Sequence, residues 1–354
     1  MTEVTVIATA YNNGPYIKRC LDSLANQTLK DIKILIAYDT GSKDDTFKIC
    51  DRFVREHYNA KLLITPHMYL GSSRNYSAAE VNTKYLAFVD GDDAYMPNAM
   101  QDMYEAMIKE NASMVVGDSL FIYQTGKTRF APGTFYNKDE SEFICGPMAH
   151  PMLFEKDEYL KYMKCVENRK TSEDLTTGIF ATIFARKPYH LKTLVYEYYV
   201  NPGSLLREVT SENAAGIVDD AIYALSQVIE HKDKISPERW LIIREFFAWL
   251  LLSKMLESSM IKDRDLRIKM ATKVKETFMN ELLPDWKETH RVHQVYHLPL
   301  VRKLIGFFEE GNFGDKYIKF TESRSMKTIV FASRVYVYRG LRDYLAARKS
   351  KEKG

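Results

Sequence analysis

Tyr85-Leu86-Ala87-Phe88-Val89-Asp90-Gly91-Asp92-Asp93 is an apolar run of strand length that stops abruptly in three carboxylates within four residues. An uninterrupted apolar run suits a strand buried on both faces of a parallel sheet. Carboxylates this close repel and raise one another's proton affinity unless a cation sits among them. Hard oxygen ligands favour Mg2+ or Mn2+, and Mg2+ is typically held by one or two carboxylates together with substrate phosphate oxygens. The plainer alternative is a solvated turn with an aspartate capping the helix after Pro97.

Working outward, the first third of the chain alternates short β-branched runs with amphipathic stretches, the pattern of βαβ units. Val4–Ala8, Ile32–Ala37, Lys61–Ile64 and Tyr85–Val89 are the candidate strands. After the first comes the turn cluster Tyr11-Asn12-Asn13-Gly14-Pro15, then a helix with Ile17, Cys20, Leu21 and Leu24 on one face. After the second comes the polar loop Asp39 to Asp45, then a helix expected to bury Phe47, Cys50, Phe53 and Val54. Open α/β sheets bind ligands beyond the carboxyl ends of their strands, so the crevice collects Asn12, Asp39, Arg74 and Asp90 to Asp93.

From about Gly117 to Leu206 glycines and prolines break the pattern into short strands and loops, as in a second lobe of the same domain. Beyond Ser211 the period turns helical through Ile217, Ala221, Leu225 and Val228, the Trp240–Leu256 block and Leu266–Leu283. The expected division is 1–116, 117–206 and 207–354. Near the end of the second stretch, Glu173-Asp174 opens an apolar run through Ile179, Phe180 and Ile183. Acids there suit either a helix start, by the dipole, or catalysis.

Bulk properties exclude more than they assign. The 354 residues are 45% hydrophobic and 27% charged, against a disordered or fibrous chain. Cys20, Cys50, Cys145 and Cys165 form no C-x-x-C pair, so neither a zinc knuckle nor a disulfide framework is indicated. Met1-Thr2-Glu3 runs directly into Val4–Ala8 without a signal-peptide pattern, and a cytoplasmic location is the expectation. Residues 321–354 carry nine Lys/Arg against three Asp/Glu, while the rest of the chain is slightly acidic. A basic amphipathic segment fits the inner face of an anionic membrane as well as it fits a docked helix with a solvated tail. No nucleic-acid recognition module accompanies that charge.

Five segments in this order, Val4-Thr5-Val6-Ile7-Ala8-Thr9-Ala10-Tyr11-Asn12, Tyr38-Asp39-Thr40-Gly41-Ser42-Lys43-Asp44-Asp45-Thr46, Gly71-Ser72-Ser73-Arg74-Asn75, Val89-Asp90-Gly91-Asp92-Asp93 and Ser172-Glu173-Asp174, resemble the family 2 glycosyltransferases of the GT-A fold. The resemblance is strong over about residues 4–120 and extends to about 205. It implies an α/β class: a Rossmann-like, mainly parallel sheet with helices on both faces, followed by a helical C-terminal region. It further implies that Thr9, Ala10, Tyr11, Asn12 and Asp39 hold the nucleotide base, usually uracil, and that Arg74 contacts the nucleotide. Asp90 with Gly91 would lie near the ribose and Asp92 would ligate Mn2+ or Mg2+ at the diphosphate, with Asp93 assisting or orienting the loop. Asp174, with Glu173 beside it, would be the general base.

The activity so implied is metal-dependent, inverting transfer of a hexosyl or N-acetylhexosaminyl group from a UDP-sugar to a hydroxyl of a surface glycan or glycolipid, as in polysaccharide biosynthesis. The chain departs from the family pattern at Thr9-Ala10, which lacks the usual proline, and at Tyr38-Asp39-Thr40, which lacks a second aspartate. Tyr196-Glu197-Tyr198-Tyr199-Val200-Asn201-Pro202-Gly203-Ser204 lacks the usual arginine, for which Arg207 is the nearby substitute. A sugar nucleotidyltransferase and a non-catalytic nucleotide-sugar-binding scaffold are the rival readings. The first lacks its basic glycine-rich loop at Asn12-Asn13-Gly14-Pro15, and the second leaves both acidic motifs unexplained. His290, His293 and His297 share helical spacing but lack the Glu of H-E-x-x-H, and His150 is placed in a loop that lines the acceptor cleft or packs structurally.

Overall fold

A computed structural model describes residues 3–137, 143–145, 149–169, 173–201, 211–259, 261–289 and 299–323. Outside them lie Ser172, Pro202 to Ser204, Arg207, the three histidines His290, His293 and His297, and nearly all of the basic C-terminal segment. The chain divides into two compact units, Met1–Glu208 and Val209–Gly354.

In the first unit, β1 (Val4–Ala10), β2 (Lys33–Asp39), β3 (Ala60–Thr65) and β4 (Tyr85–Asp90) pair in parallel in the order β3-β2-β1-β4. The intervening helices are α1 (Ile17–Ala25), α2 (Thr46–Glu56) and α3 (Leu70–Ala79). Alternation along each strand supplies two cores. Val4, Val6 and Ala8 of β1 join Ala87 and Val89 of β4 on one face, with α1 and α4 (Ala99–Lys109). Ile7 joins Leu86 and Phe88 on the other, with Ala78 of α3 and Ala181 of the helix Leu175–Phe184.

Past β4 the sheet is mixed. The order continues β4-β10-β6-β11-β5, with β5 at Ala94–Tyr95, β6 at Met114–Tyr123, β10 at Met152–Glu155 and β11 at Pro188–Val200. β10 runs antiparallel to both its neighbours, β11 is parallel to β6, and β7 (Thr128–Ala131) folds back on β6. β8 (Thr134–Asn137) and β9 (Phe143–Cys145) form a separate pair. The mixed half corresponds to the stretch in which glycines and prolines obscured the period.

The expected buried face of α1 is found complete: Ile17, Cys20, Leu21 and Leu24 are all buried. On α2, Cys50 and Phe53 are buried, but Phe47 is 44% exposed, its ring set edge-on against Tyr38 at 5.1 Å. All four cysteines are buried free thiols.

The second unit is helical over its described residues: Ser211–Glu230, Pro237–Ser258, Arg264–Lys273, the wider-wound Val274–Leu282, Pro299–Glu310 and Asp315–Glu322. Ala221, Leu225 and Val228 are buried with Phe246, Phe247, Phe278, Phe308 and Tyr317. Buried Arg267 is satisfied by the Ile261 carbonyl, Thr321 and Glu322. Among the described residues, no helix is long and apolar enough to cross a membrane.

Candidate functional site

β1 has β2 on one side and β4 on the other, so the chain leaves it in opposite directions and opens a crevice at the carboxyl ends of these strands. Thr9, Asp39 and Asp90 all sit there. Thr9 is the register partner of Asp90, and its hydroxyl donates to Asp90 Oδ1 at 3.2 Å.

On the β2 side, Asp39 is buried and fully engaged with its own loops. Its Oδ1 accepts from the Gly41 N–H at 2.7 Å and its Oδ2 from the Met68 N–H at 3.1 Å. His67 Nδ1 lies 2.9 Å from Oδ1, and since a carboxylate only accepts, that nitrogen carries the proton. The His67 ring stacks on Tyr11 with centroids 5.2 Å apart. Asn12, at φ 50°, turns the β1 loop so that its Oδ1 accepts from the Lys43 N–H and its own N–H donates to Ser42. Thr9 to Asn12 and Asp39 are therefore brought together, with His67 added from the loop before α3.

On the β4 side, Arg74 is 1% exposed and spans two carboxylates: Nη2 donates to Asp90 Oδ1 at 2.7 Å and Nη1 to Glu173 Oε1 at 2.8 Å. α3 can approach Glu173 because Gly71 has no side chain; a Cβ there would lie 2.3 Å from the Val166 carbonyl oxygen and 3.0 Å from Glu173 Cβ. Burial raises the Asp90 carboxyl, but the Arg74 charge outweighs it and holds the group below the usual aspartate range. Asp174, at the start of the helix Leu175–Phe184, has no such clamp. Burial and the Glu173 charge push its carboxyl up to about 8, against the pull of Arg74.

The turn after β4 is gripped from the far end of β11. The Tyr196 hydroxyl accepts from the Asp90 N–H at 3.3 Å and donates to Asp93 Oδ2 at 2.9 Å. The Tyr199 N–H donates to Asp93 Oδ1 at 2.8 Å, and the Asn201 amide to Asp92 Oδ2 at 2.9 Å. Gly91 packs so closely that a Cβ would meet the Thr9 carbonyl at 2.6 Å. Burial and the neighbouring aspartates hold Asp93 well above the ordinary range, and raise Asp92 as well.

His150 completes this corner. It is 3% exposed, 3.9 Å from both Asp90 Oδ2 and Asp93 Oδ2, and neither of its ring nitrogens has a hydrogen-bond partner. Burial pushes it down to about 4 despite Asp90, which leaves a neutral imidazole at neutral pH. Asp90, Asp93 and His150 thus present ligand atoms within 4.8 Å of one another, the one such group of three among the described residues. Two carboxylates and a neutral imidazole suit a borderline-hard divalent ion, and a buried imidazole whose nitrogens have no hydrogen-bond partner has a lone pair free for one. Asp92, the metal ligand expected from the sequence, is outside this group and bonded to Asn201. The sequence reading did not assign His67, His150, Tyr196, Tyr199 or Asn201 to this constellation; the tyrosine-rich segment 196–201 was noticeable only for its missing arginine.

Residues 5–167 match the family model described as Glycosyl transferase family 2. A putative glycosyltransferase of Bacillus subtilis, EpsH, is 24% identical over 216 residues, which are 58% of this chain and 62% of that protein. The glycosyltransferase GlyA of Streptococcus pneumoniae is 30% identical over 116 residues, 33% of this chain and 16% of the relative. The chain therefore spans less than two thirds of either relative's length. In three dimensions it resembles residues 1–349 of S. aureus TarS in complex with UDP-GlcNAc, with a TM-score of 0.67, 15% identity and 92% of each chain covered. At that identity the likeness is one of fold.

Proposed function

We propose that the chain, whose residues 5–167 match the family 2 glycosyltransferase model and whose fold resembles that of TarS, moves a sugar from a nucleotide diphosphate donor to an acceptor hydroxyl with inversion. The observation that carries the reading is the buried Asp90–Arg74–Glu173 bridge, which sets the donor-side carboxylate and the Glu173-Asp174 pair in one rigid frame. Two carboxyl groups with different environments and opposite shifts, Asp90 low and Asp174 raised, divide the roles of anion and proton acceptor between them.

In this reading the base rests against Tyr11 and His67, and Asp39 holds both the His67 ring and the loop behind it. UDP is the nucleotide we assign; the S. aureus TarS neighbour was captured with UDP-GlcNAc, which supports the class. Asp90, Asp93 and His150 would hold Mn2+ or Mg2+, with the half-buried Asp92 as the adjoining carboxylate. A divalent ion there supplies electrostatic stabilisation of the charge that develops on the leaving diphosphate. Asp174 takes the proton from the acceptor hydroxyl as the oxygen attacks the anomeric carbon, and the bond to the diphosphate oxygen breaks on the opposite face. Glu173 is tied to Arg74, and its place beside Asp174 favours the proton on Asp174. The acceptor is a surface glycan or glycolipid hydroxyl, which the stretch 117–206 would receive, and the basic segment 321–354 would hold the enzyme at an anionic membrane surface.

The test is a thermal-shift screen of UDP-, GDP- and dTDP-sugars with Mn2+, followed by donor hydrolysis assays. A donor at about 100 times its dissociation constant adds about 2.7 kcal/mol of stability. Absence of any nucleotide-sugar response in the presence of Mn2+ overturns the donor assignment.

A further inference from the structure

The polar side of α1 forms a row that faces the segment following β4. Arg19 and Ser23 are one turn apart, and Gln27 follows at the same spacing just past the helix end at Ala25. Arg19 Nη2 donates to the Asp92 carbonyl. Ser23 Oγ accepts from the Tyr95 N–H at 3.2 Å, and Gln27 both donates to the Met96 carbonyl at 2.8 Å and accepts from the Met100 N–H at 3.0 Å. A single helix edge thus satisfies backbone groups from Asp92 to Met100. The apolar edge of the same helix is sunk in the sheet core, so the row cannot shift without unpacking Ile17, Cys20, Leu21 and Leu24.

Arg19 differs from the other two members because it has a second engagement. Its guanidinium carbon lies 3.4 Å from the centroid of the Tyr199 ring, well within cation–π range. Tyr199 is the residue whose N–H holds Asp93 Oδ1, and its hydroxyl is tied to Glu197 Oε2 at 3.0 Å. Arg19 therefore touches the carboxylate-bearing turn from one side at Asp92, and touches the strand end that holds Asp93 from the other.

We infer that Arg19 is a positioning residue for the metal-bearing turn, its guanidinium closing α1, the Asp90–Asp93 turn and the Tyr199 end of β11 into one clamp. This rests on the metal-dependent reading above. Three acidic side chains in one short turn repel one another when no cation is present, and an arginine that fixes backbone and ring while hydrogen-bonding none of the three carboxylates keeps them gathered with their oxygens uncommitted to it. The planar, stacked guanidinium is suited to this; a lysine keeps the charge but loses the stack and the fork.

The experiment uses the full chain and Mn2+ alone. Thermal shift gives the Mn2+ concentration for half-maximal stabilisation, and amide hydrogen exchange of the peptide covering residues 90–95 is followed without metal. Loss of a partner that orients metal ligands costs about 10–100-fold in metal affinity. Arg19→Met is expected to raise the half-maximal Mn2+ concentration by that factor and to speed exchange in the turn. Arg19→Lys should recover part of both, and the exposed control Arg52→Met should change neither. Tyr199→Leu, which removes the ring and keeps the backbone N–H to Asp93, should shift both measurements the same way and serves if Arg19→Met does not fold. Unchanged Mn2+ response and unchanged exchange in either folded variant overturn the inference. If the wild type itself shows no Mn2+ response, the metal reading falls, and turn exchange alone decides the clamp: faster in the variants upholds it, equal refutes it.

Discussion

Arg74 and Glu173 stand 99 positions apart in the sequence, yet Nη1 of one lies 2.8 Å from Oε1 of the other, with Arg74 1% exposed. Such a contact joins a helix of the nucleotide half of the sheet to the entry of the helix that begins after Asp174. Removing one partner of a buried pair leaves the other charged and unpaired, which costs about 3–5 kcal/mol. Arg74→Met is therefore expected to lower the unfolding free energy by about that amount and to abolish transfer, because it strands both Asp90 and Glu173. Arg74→Lys should restore only part of the stability, since one ammonium lacks the fork that serves two carboxylates. Urea denaturation measures the first and product formation the second; an Arg74→Met protein as stable as the wild type sinks the bridge as a structural element.

Asp174 gives a prediction with a defined sign. Its folded carboxyl titrates at about 8 against an ordinary value of 3.8, so the folded chain holds that proton more tightly than the unfolded one. The associated stability is full below about pH 4 and is lost as pH rises toward 8. Activity runs the other way, because the base must be unprotonated: kcat should climb with pH up to a limb near 8. Asp174→Asn should remove that limb, flatten the fall in stability between those pH values and cut transfer by about 10²–10⁴-fold with donor binding retained. A pH–rate profile of the wild type and urea midpoints of both proteins at pH 5, 7 and 9 decide it. Full transfer by Asp174→Asn moves the base elsewhere.

What could be read in advance, and what could not, follows from how far along the chain each relationship reaches. Asp39 and Asp90 were legible because each ends an apolar strand, and strand ends in an α/β sheet are where polar side chains escape burial. The first four strands and the face of α1 were legible for the same reason: their periods are local. His150 gave no such signal, since its place beside Asp90 and Asp93 depends on β10 entering the sheet antiparallel between β4 and β6. Tyr196 and Tyr199 act across more than 100 residues through the pairing of β11 with β5. Phe47 shows the converse failure: helical spacing assigned it to the core, but the first turn of α2 directs it to an edge contact with Tyr38. Arg74 was found by resemblance, whereas its bridge to Glu173 needed the fold.

The two views of the acidic turn can be separated by metal removal. If Asp90, Asp93 and His150 hold the ion, His150→Ala and Asp93→Asn should each abolish the Mn2+-dependent rise in melting temperature, and Asp92→Ala should weaken it less. Transfer by the wild type should stop in EDTA and return with Mn2+. His150→Ala carries little charge penalty, because burial already keeps that imidazole neutral near pH 7, so its metal-free stability should stay closer to wild type than that of Arg74→Met. Should Asp92→Ala prove the most damaging to Mn2+ binding, Asp92 must release Asn201 and join the ion, and the expectation from the sequence is restored.

Gly41 tests the nucleotide side without removing a carboxylate. A Cβ at this position would fall 2.4 Å from His67 Nδ1 and 2.9 Å from Asp39 Oδ1, so alanine and the His67–Asp39 bond cannot coexist. The His67 side chain is 62% exposed and has room to swing outward, which should confine the effect to that ring and keep the stability loss under about 1 kcal/mol. Swinging out separates His67 from Tyr11 and dismantles the stacked pair. The expected outcome for Gly41→Ala is a raised donor KM with kcat nearly unchanged, because interactions with the base hold substrate and transition state alike. His67→Ala should reproduce the same split while leaving Asp39 to its bonds from Gly41 and Met68. Steady-state kinetics with the donor identified by the thermal screen measure both, and an unchanged KM in the two variants removes the Tyr11–His67 pair from base binding.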